Sequence, residues 1–142
     1  MNKKSFPYLS ILTGVILINI YFSIYFITIL LVGVVYSIFM DSLKKRYYYI
    51  FLLTILTFVF IETIHGIKIF SLSLLSLFLY YFVIPRLKHI FSSQLIGRFT
   101  IVSIFYLGFY IINLISNSYS LEYSYIFIVN LIIDSLIVGF VI

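Results

Sequence analysis

The sequence contains no cysteine, no tryptophan and no alanine, and only 9% of its residues are charged. Without cysteine the chain can form no disulfide, no thiolate metal site and no cysteine nucleophile. A soluble domain usually has about a quarter of its residues charged, because charged side chains cover its surface. The shortage of charge therefore argues against a soluble enzyme.

Hydrophobic residues make up 64% of the 142 positions, and the mean hydropathy is +1.25. Apolar runs extend well past the ~20 residues that a helix needs to cross a bilayer core ~30 Å thick. We therefore expect residues 1–142 to form a single integral membrane domain surrounded by membrane lipids, with no cofactor.

The net charge of +5 comes from basic residues that are scattered between apolar segments. They form no continuous basic face, which argues against binding to nucleic acid. Lys3 and Lys4 resemble the start of a signal peptide. However, the apolar stretch that follows is far longer than the about 7–15 residues of such a peptide, and no cleavage motif follows it.

Polar segments divide the chain into apolar spans, one of which is ambiguous. Residues Pro7 to Met40 are almost entirely apolar. As one helix this stretch would be ~50 Å long, far more than a bilayer core. As two helices it would turn near Asn19 to Ser23.

The positions of the basic residues favour two helices. With the N-terminus inside, this arrangement puts all nine basic residues except Lys68 in the cytoplasm, whereas one long helix would put six of them outside. Cytoplasmic loops are enriched in lysine and arginine. The sequence therefore predicts an all-α transmembrane bundle of six short helices with both termini cytoplasmic. The predicted helices cover residues 7–21, 24–40, 47–64, 69–84, 95–115 and 123–142.

Asp134 is the most deeply placed ionisable residue of the predicted spans. Ionisable groups inside a membrane are costly and are candidates for function. Asn130 lies four residues earlier and therefore on the same helix face. The pair indicates either a polar contact that holds helices together or a site for a proton or ligand, and we favour the contact.

A second polar group, Glu62, His65 and Lys68, lies at the outer end of a predicted helix. Spacings of three would put these residues on one face, but Gly66 is expected to end the helix. A metal site would need at least one more suitable ligand, and His89 lies on the opposite side of the membrane. We therefore predict no metal site.

No catalytic motif is present in the sequence, which has no H-E-x-x-H, no G-x-S-x-G and no glycine-rich phosphate loop. Ser71, Ser73 and Ser76 are small hydroxylated residues of the kind that lets helices approach closely. We therefore expect a protein that is not an enzyme, with no catalytic residues, and we treat these serines as candidate contacts with a partner helix.

The stretch from Phe58 to Arg86 resembles the central part of the rod shape-determining protein MreD family. In that family a helix ends in an acidic residue and a short glycine-containing turn follows. The next helix is rich in leucine, serine and tyrosine and has a basic cytoplasmic end. Glu62 matches the acidic position and Gly66 matches the turn.

The resemblance implies a non-catalytic scaffold subunit of the cell-elongation complex, which serves peptidoglycan synthesis and rod shape at the bacterial inner membrane. Its partners would be an MreC-like bitopic protein and, through that protein, the glycosyltransferase RodA and a class B penicillin-binding protein.

The resemblance also supplies an alternative function, because the fold of that family is similar to that of substrate-binding subunits of energy-coupling-factor transporters. The chain would then bind a small molecule. Those subunits usually have a small-residue motif in the first helix, and the bulky residues between Gly14 and Phe22 count against it. A proton-coupled channel or carrier is a third alternative, but no internal repeat supports it.

Overall fold

The computed structural model describes residues 6–25, 29–87, 94–116 and 122–141. Helices are the only regular secondary structure in this part of the chain. They are α1 (Phe6–Ile24), α2 (Val32–Lys44), α3 (Tyr48–Ile64), α4 (Ser71–Leu87), α5 (Gln94–Ser116) and α6 (Glu122–Val141). Within α4, Leu79–Val83 form a π-helical stretch. This wider turn lies just before Pro85, which has no backbone N–H to donate to the helix.

The all-α class and the six helices predicted from the sequence are confirmed over these residues. The predicted turn near Asn19–Ser23 is wrong, because α1 continues through it to Ile24 and α2 begins only at Val32. Asn19 does not interrupt α1, since its side-chain nitrogen donates to the oxygen of Val15, 3.0 Å away and one helical turn earlier. A polar residue inside an apolar run therefore marks a contact here, not a turn.

Helix α2 lies at the centre of the bundle. It packs against α1, α3, α5 and α6, and nine of its thirteen residues are buried. In α1, by contrast, three of nineteen residues are buried. Helix α4 packs against α3 and α5. The shortest helix is therefore the one that its neighbours enclose most completely.

Hydrogen bonds between helices define two ends of the bundle. At one end Tyr8 of α1 donates to Asp41 of α2, with the two oxygens 3.1 Å apart. At the other end Asn19 of α1 lies 3.0 Å from His65, which directly follows α3. Helices α1 and α2 therefore run in opposite directions, and α3 runs parallel to α1.

The end that contains Tyr8 and Asp41 also carries most of the described basic residues. Helix α4 starts at the opposite end beside Glu62, and α5 lies alongside it where Leu75 approaches Gly108. The far end of α4 and the start of α5 therefore return to the first end. We call this the basic end, and it carries Lys44, Lys45, Arg46, Arg86 and Arg98.

Buried aromatic rings form the core between α2, α3 and α5. Tyr36 stacks on Phe105 with the ring centroids 4.4 Å apart, and the ring centroids of Phe39 and Phe58 are 6.1 Å apart. Such pairs contribute about 0.5–1.5 kcal/mol each beyond the area that they bury. This core fixes the second half of α2, the half nearer the basic end, against α3 and α5.

The outward faces of the helices are mainly apolar, and exposed hydroxyls on them, such as those of Thr13 and Thr63, are bonded to their own helix backbone. Phe140 of α6, for example, is 86% exposed, whereas Asp134 on the same helix is 0% exposed. The large outward residues on α4 and α6 are Leu74, Phe78, Tyr81, Phe82, Tyr125, Ile128, Ile132, Leu136 and Phe140. The buried polar residues of the described chain are Asn19, Ser42, Thr54, Thr57, Glu62, Ser73, Ser76, Asn113, Asn130 and Asp134.

Two helical stretches, Phe6–Ile24 and Ile96–Ile115, are long and apolar enough to cross a membrane. Three more, Tyr48–Ile64, Ser71–Leu87 and Ser124–Phe140, are apolar but shorter. Length and composition therefore identify two candidate spans among the described helices.

Candidate functional site

The start of α2 is capped by a side chain from a distant part of the chain. Leu31, which precedes the helix, has a left-handed backbone with φ 52° and no side chain that could cap it. The first N–H groups of a helix need acceptors from elsewhere. Asp134 of α6 supplies one, since its Oδ2 accepts from the backbone nitrogen of Gly33 at 2.6 Å. The same oxygen accepts from the hydroxyl of Tyr106 on α5 at 2.5 Å.

The residue before this helix start is also held by side chains. The backbone nitrogen of Leu30 donates to Oδ1 of Asn130 at 2.8 Å, and the oxygen of Leu30 accepts from Asn19 at 3.1 Å. Leu30 is buried, and buried backbone groups need partners. The side chains of Asn130 and Asn19 therefore supply the hydrogen bonds that Leu30, which lies outside a helix, does not make with other backbone groups.

Gly33 allows α6 to come this close. A Cβ atom at this position would lie 2.8 Å from Oδ2 of Asp134 and 3.0 Å from Cγ1 of Val102. Real Cβ atoms are not found at the first distance without a shift of the neighbouring side chain. The hydrogen bond between Gly33 and Asp134 therefore depends on the absence of a side chain at residue 33.

A second carboxylate caps the start of α4 in the same way. Phe70, which precedes this helix, is also left-handed, with φ 67° and no capping side chain of its own. Glu62 of α3 is 0% exposed. Its Oε2 accepts from the nitrogen of Phe70 at 2.7 Å, and its Oε1 accepts from the nitrogen of Leu72 at 2.6 Å and the hydroxyl of Ser71 at 3.2 Å. Both oxygens of Glu62 are therefore committed to the start of α4.

The turn between α3 and α4 contains Gly66, the residue at which the sequence predicts the end of the helix. Gly66 has φ 66°, and the nitrogen of Ile67 donates to the oxygen of Glu62 at 2.9 Å. This pattern is a common way to end a helix at a left-handed glycine. Helix α3 therefore ends at Ile64, and the helix does not persist to carry Lys68 on the face of Glu62.

His65 connects this turn to α1. Its Nε2 lies 3.0 Å from Oδ1 of Asn19, whose side-chain nitrogen already donates to two backbone oxygens. Oδ1 of Asn19 must then accept, so the hydrogen-bond pattern assigns a hydrogen to Nε2 of His65. Partial burial lowers the pKa of His65 below its ordinary value, because it disfavours the charged ring.

A series of hydrogen bonds runs between the two capped helix starts without reaching either carboxylate. From His65 they pass through Asn19 and Leu30 to Asn130, one turn from Asp134 on α6. Glu62 lies one turn before His65 on the other side. Side-chain hydrogen bonds therefore link the turn after α3 to α1, to Leu30 and to α6 in the region between the two helix starts.

The serines predicted as partner contacts face the interior of this chain. Ser73 is 5% and Ser76 0% exposed, and the hydroxyl of Ser76 donates to the oxygen of Leu72 at 2.7 Å. Ser71 donates to Glu62. Ser73 and Ser76 are therefore enclosed within this chain, and Ser71, which is partly buried, is bonded to the cap at the start of α4.

Sequence reasoning missed two members of the site. The sequence predicts a turn at Asn19, although a single asparagine inside a long apolar run is also the signal of a buried contact. Tyr106 is one of fourteen tyrosines, and nothing in its sequence neighbourhood distinguishes it from the others. Its role depends on the packing of α5 against α6.

The arrangement can fix helices, since the carboxylates of Glu62 and Asp134 accept hydrogen bonds from the starts of α4 and α2. In the described ranges, no group of three His, Cys, Asp or Glu residues lies close enough to hold a metal ion. Three buried polar atoms form no hydrogen bond within the same ranges, namely Oδ1 of Asp134, the hydroxyl of Tyr36 and the hydroxyl of Ser73.

A scan of the chain against protein-family models found no match, and searches of curated proteins and of solved structures found none either. The function must therefore be inferred from the sequence and from the geometry of the chain itself.

Proposed function

We propose that the chain is a multi-pass protein of the bacterial cytoplasmic membrane that acts as a scaffold for partner membrane proteins and is not an enzyme. The observation that carries the membrane assignment is the mainly apolar outward surface described above, together with the burial of Glu62 and Asp134 inside the bundle. Large contiguous apolar surfaces on a soluble protein are unusual, whereas ionisable residues in membrane helices face the bundle interior. Glu62 and Asp134 follow the second pattern.

The lengths of the helices support six spans. Helices α3 and α4 have seventeen residues each, which corresponds to about 26 Å, close to a bilayer core of ~30 Å. Helix α2 is shorter, at about 20 Å. Leu30 and Leu31, which precede it, are buried, and the backbone of Leu30 is bonded to Asn19 and Asn130, which is the condition for irregular backbone inside a membrane.

The two ends of the bundle support an orientation with both termini in the cytoplasm. The basic end would face the cytoplasm, and Lys68 would lie outside. Exposed tyrosines occur near both ends, as expected of residues at membrane surfaces. Tyr48 and Tyr49 lie near the basic end, and Tyr21 and Tyr25 lie near the opposite end.

The proposed scaffold role is supported by the structural role of the buried carboxylates. Glu62 and Asp134 hold helix starts, and the outward surface consists of apolar helix faces suited to lipid or to another membrane helix. Through its resemblance to the MreD family, the chain would bind an MreC-like bitopic protein. It would thereby join RodA and a class B penicillin-binding protein in cell elongation.

Site-specific photo-crosslinking in native membranes tests this proposal. A photoreactive residue at Leu74, which is 65% exposed, is expected to capture the MreC-like protein. Leu72, two residues earlier and 0% exposed, is the matched control and should capture nothing outside the chain. Outward positions on α5 and α6, such as Leu107 and Ile132, complete the scan.

Depletion of the chain should round or widen rod-shaped cells. If the outward positions instead capture the membrane component of an ATP-driven transporter, and a vitamin co-purifies, the scaffold proposal fails and the transporter function replaces it.

A further inference from the structure

The carboxyl groups of Asp134 and Glu62 are both fully buried, but they differ in how their oxygens are used. Each oxygen of Glu62 accepts at least one hydrogen bond from the start of α4. In Asp134, Oδ2 accepts from Gly33 and Tyr106, whereas Oδ1 accepts from no described residue. A buried carboxylate oxygen without a donor is energetically costly.

We propose that Asp134 is a proton-binding site, in which Oδ1 takes up and releases a proton while Oδ2 stays bonded to the start of α2. The geometry selects Oδ1 because Oδ2 already faces two donors. A proton on Oδ2 would compete with the hydrogens of Gly33 and Tyr106 for the same space. The proton comes from hydronium in the surrounding water: one O–H bond of hydronium breaks, one O–H bond forms at Oδ1, a water molecule is left, and no electron is transferred.

The proton changes how firmly the central helix is held. In the ionised form the carboxylate is an anion at the positive end of α2, and its hydrogen bonds are charge-assisted. Such bonds are about twice as strong as neutral ones. Uptake of the proton therefore loosens the start of α2 without removing its partners, and release of the proton tightens it.

The titratable groups near Asp134 determine which residue can change the pH at which it binds a proton. Helix α6 packs against α2 and α5. Among their titratable residues, Tyr106 bonds to Asp134 directly. Tyr110, one turn further along α5, bonds instead to Ser124 at 3.1 Å. The remaining charged or titratable residues of the two helices are Tyr36, Asp41, Lys44 and Arg98, of which Tyr36 stacks on Phe105 and the other three lie toward the basic end.

The composition of the chain allows a direct measurement. Asp41 and Asp134 are the only aspartates in the sequence. Full-length chain grown with aspartate labelled with ¹³C at the side-chain carboxyl would therefore give two carboxyl signals by NMR in lipid nanodiscs. The variant Asp41→Asn assigns them. We expect the Asp134 signal to change between the two protonation states from about pH 4 to about pH 9.

Two matched variants test the geometry. Tyr106→Phe removes one donor that favours the ionised form, so the midpoint should rise by about one to two pH units. Tyr110→Phe, on the same helix, should leave it unchanged. An Asp134 signal that stays in one form over this range overturns the proposal, as does a Tyr106→Phe midpoint equal to that of Tyr110→Phe.

Discussion

Replacing Gly33 with alanine tests whether the close approach of α6 to the start of α2 is required. The new Cβ atom would lie 2.8 Å from Oδ2 of Asp134 and 3.0 Å from Cγ1 of Val102. In an open helix, alanine is more stable than glycine by about 0.5–1 kcal/mol. Here overpacking costs about 1–3 kcal/mol, and a displaced charged hydrogen bond costs about 1.5–3 kcal/mol. The net expected loss is about 2–5 kcal/mol.

Gly14→Ala is the matched control for this variant. Gly14 lies in α1, and a Cβ atom there would meet nothing within 4 Å. We therefore expect Gly14→Ala to stabilise the chain by about 0.5–1 kcal/mol. Both variants would be unfolded by denaturant in the same detergent, with helical circular dichroism as the signal. A Gly33→Ala chain as stable as Gly14→Ala would refute the reasoning.

A second substitution separates the two clashes at Gly33. Val102→Ala removes the contact with Cγ1 but leaves the contact with Asp134. The double variant Gly33→Ala with Val102→Ala should therefore recover part of the lost stability, as measured by a double-mutant cycle. Strictly additive losses would show that the Cβ atom at residue 33 does not press on Val102.

Three further experiments test the proposed orientation, the two helix caps and the burial of His65. A cysteine at Ser23 should react with an impermeant thiol reagent in intact cells and one at Lys45 should not; the opposite result would invert the proposed orientation. Glu62→Gln should lower the free energy of unfolding by about 2–3 kcal/mol at pH 8, because the new amide hydrogens would face N–H and O–H donors. Asp134→Asn should lower it by about 1 kcal/mol. Equal losses in detergent unfolding would contradict this difference. Because burial lowers the pKa of His65, the unfolded chain binds a proton more readily, and stability should fall as pH drops below about 6.5. His65→Gln should lessen that fall in unfolding measured at several pH values, and an unchanged pH dependence would argue against it.

Much of the helical framework could be predicted from the sequence because it depends on local patterns. Apolar length and polar punctuation predict six helices, and Gly66 correctly ends α3. The first turn was misplaced because Asn19 and Ser23 are ambiguous in a sequence. Either can interrupt a helix or lie inside one, and only the contact between Asn19 and Leu30 decides.

The candidate site could be predicted only in part, because its contacts join residues that are far apart in the sequence. The spacing of Asn130 and Asp134 places both on one helix face, and both do face the interior. Their partners, Leu30 and Gly33, lie 100 and 101 residues away in the sequence. No local pattern specifies such a pairing, because it depends on how α6 packs against α2.

The caps at the starts of α2 and α4 set different times at which these two helices can be completed during synthesis. Glu62 precedes Leu72 by ten residues, so its carboxylate is already made when α4 emerges. Asp134 follows Gly33 by 101 residues, which at about 5–20 residues per second corresponds to roughly 5–20 s of translation. During that interval the start of α2 lacks its acceptor. The start of the central helix therefore gains this acceptor only after α6 has been made, long after its own residues have left the ribosome.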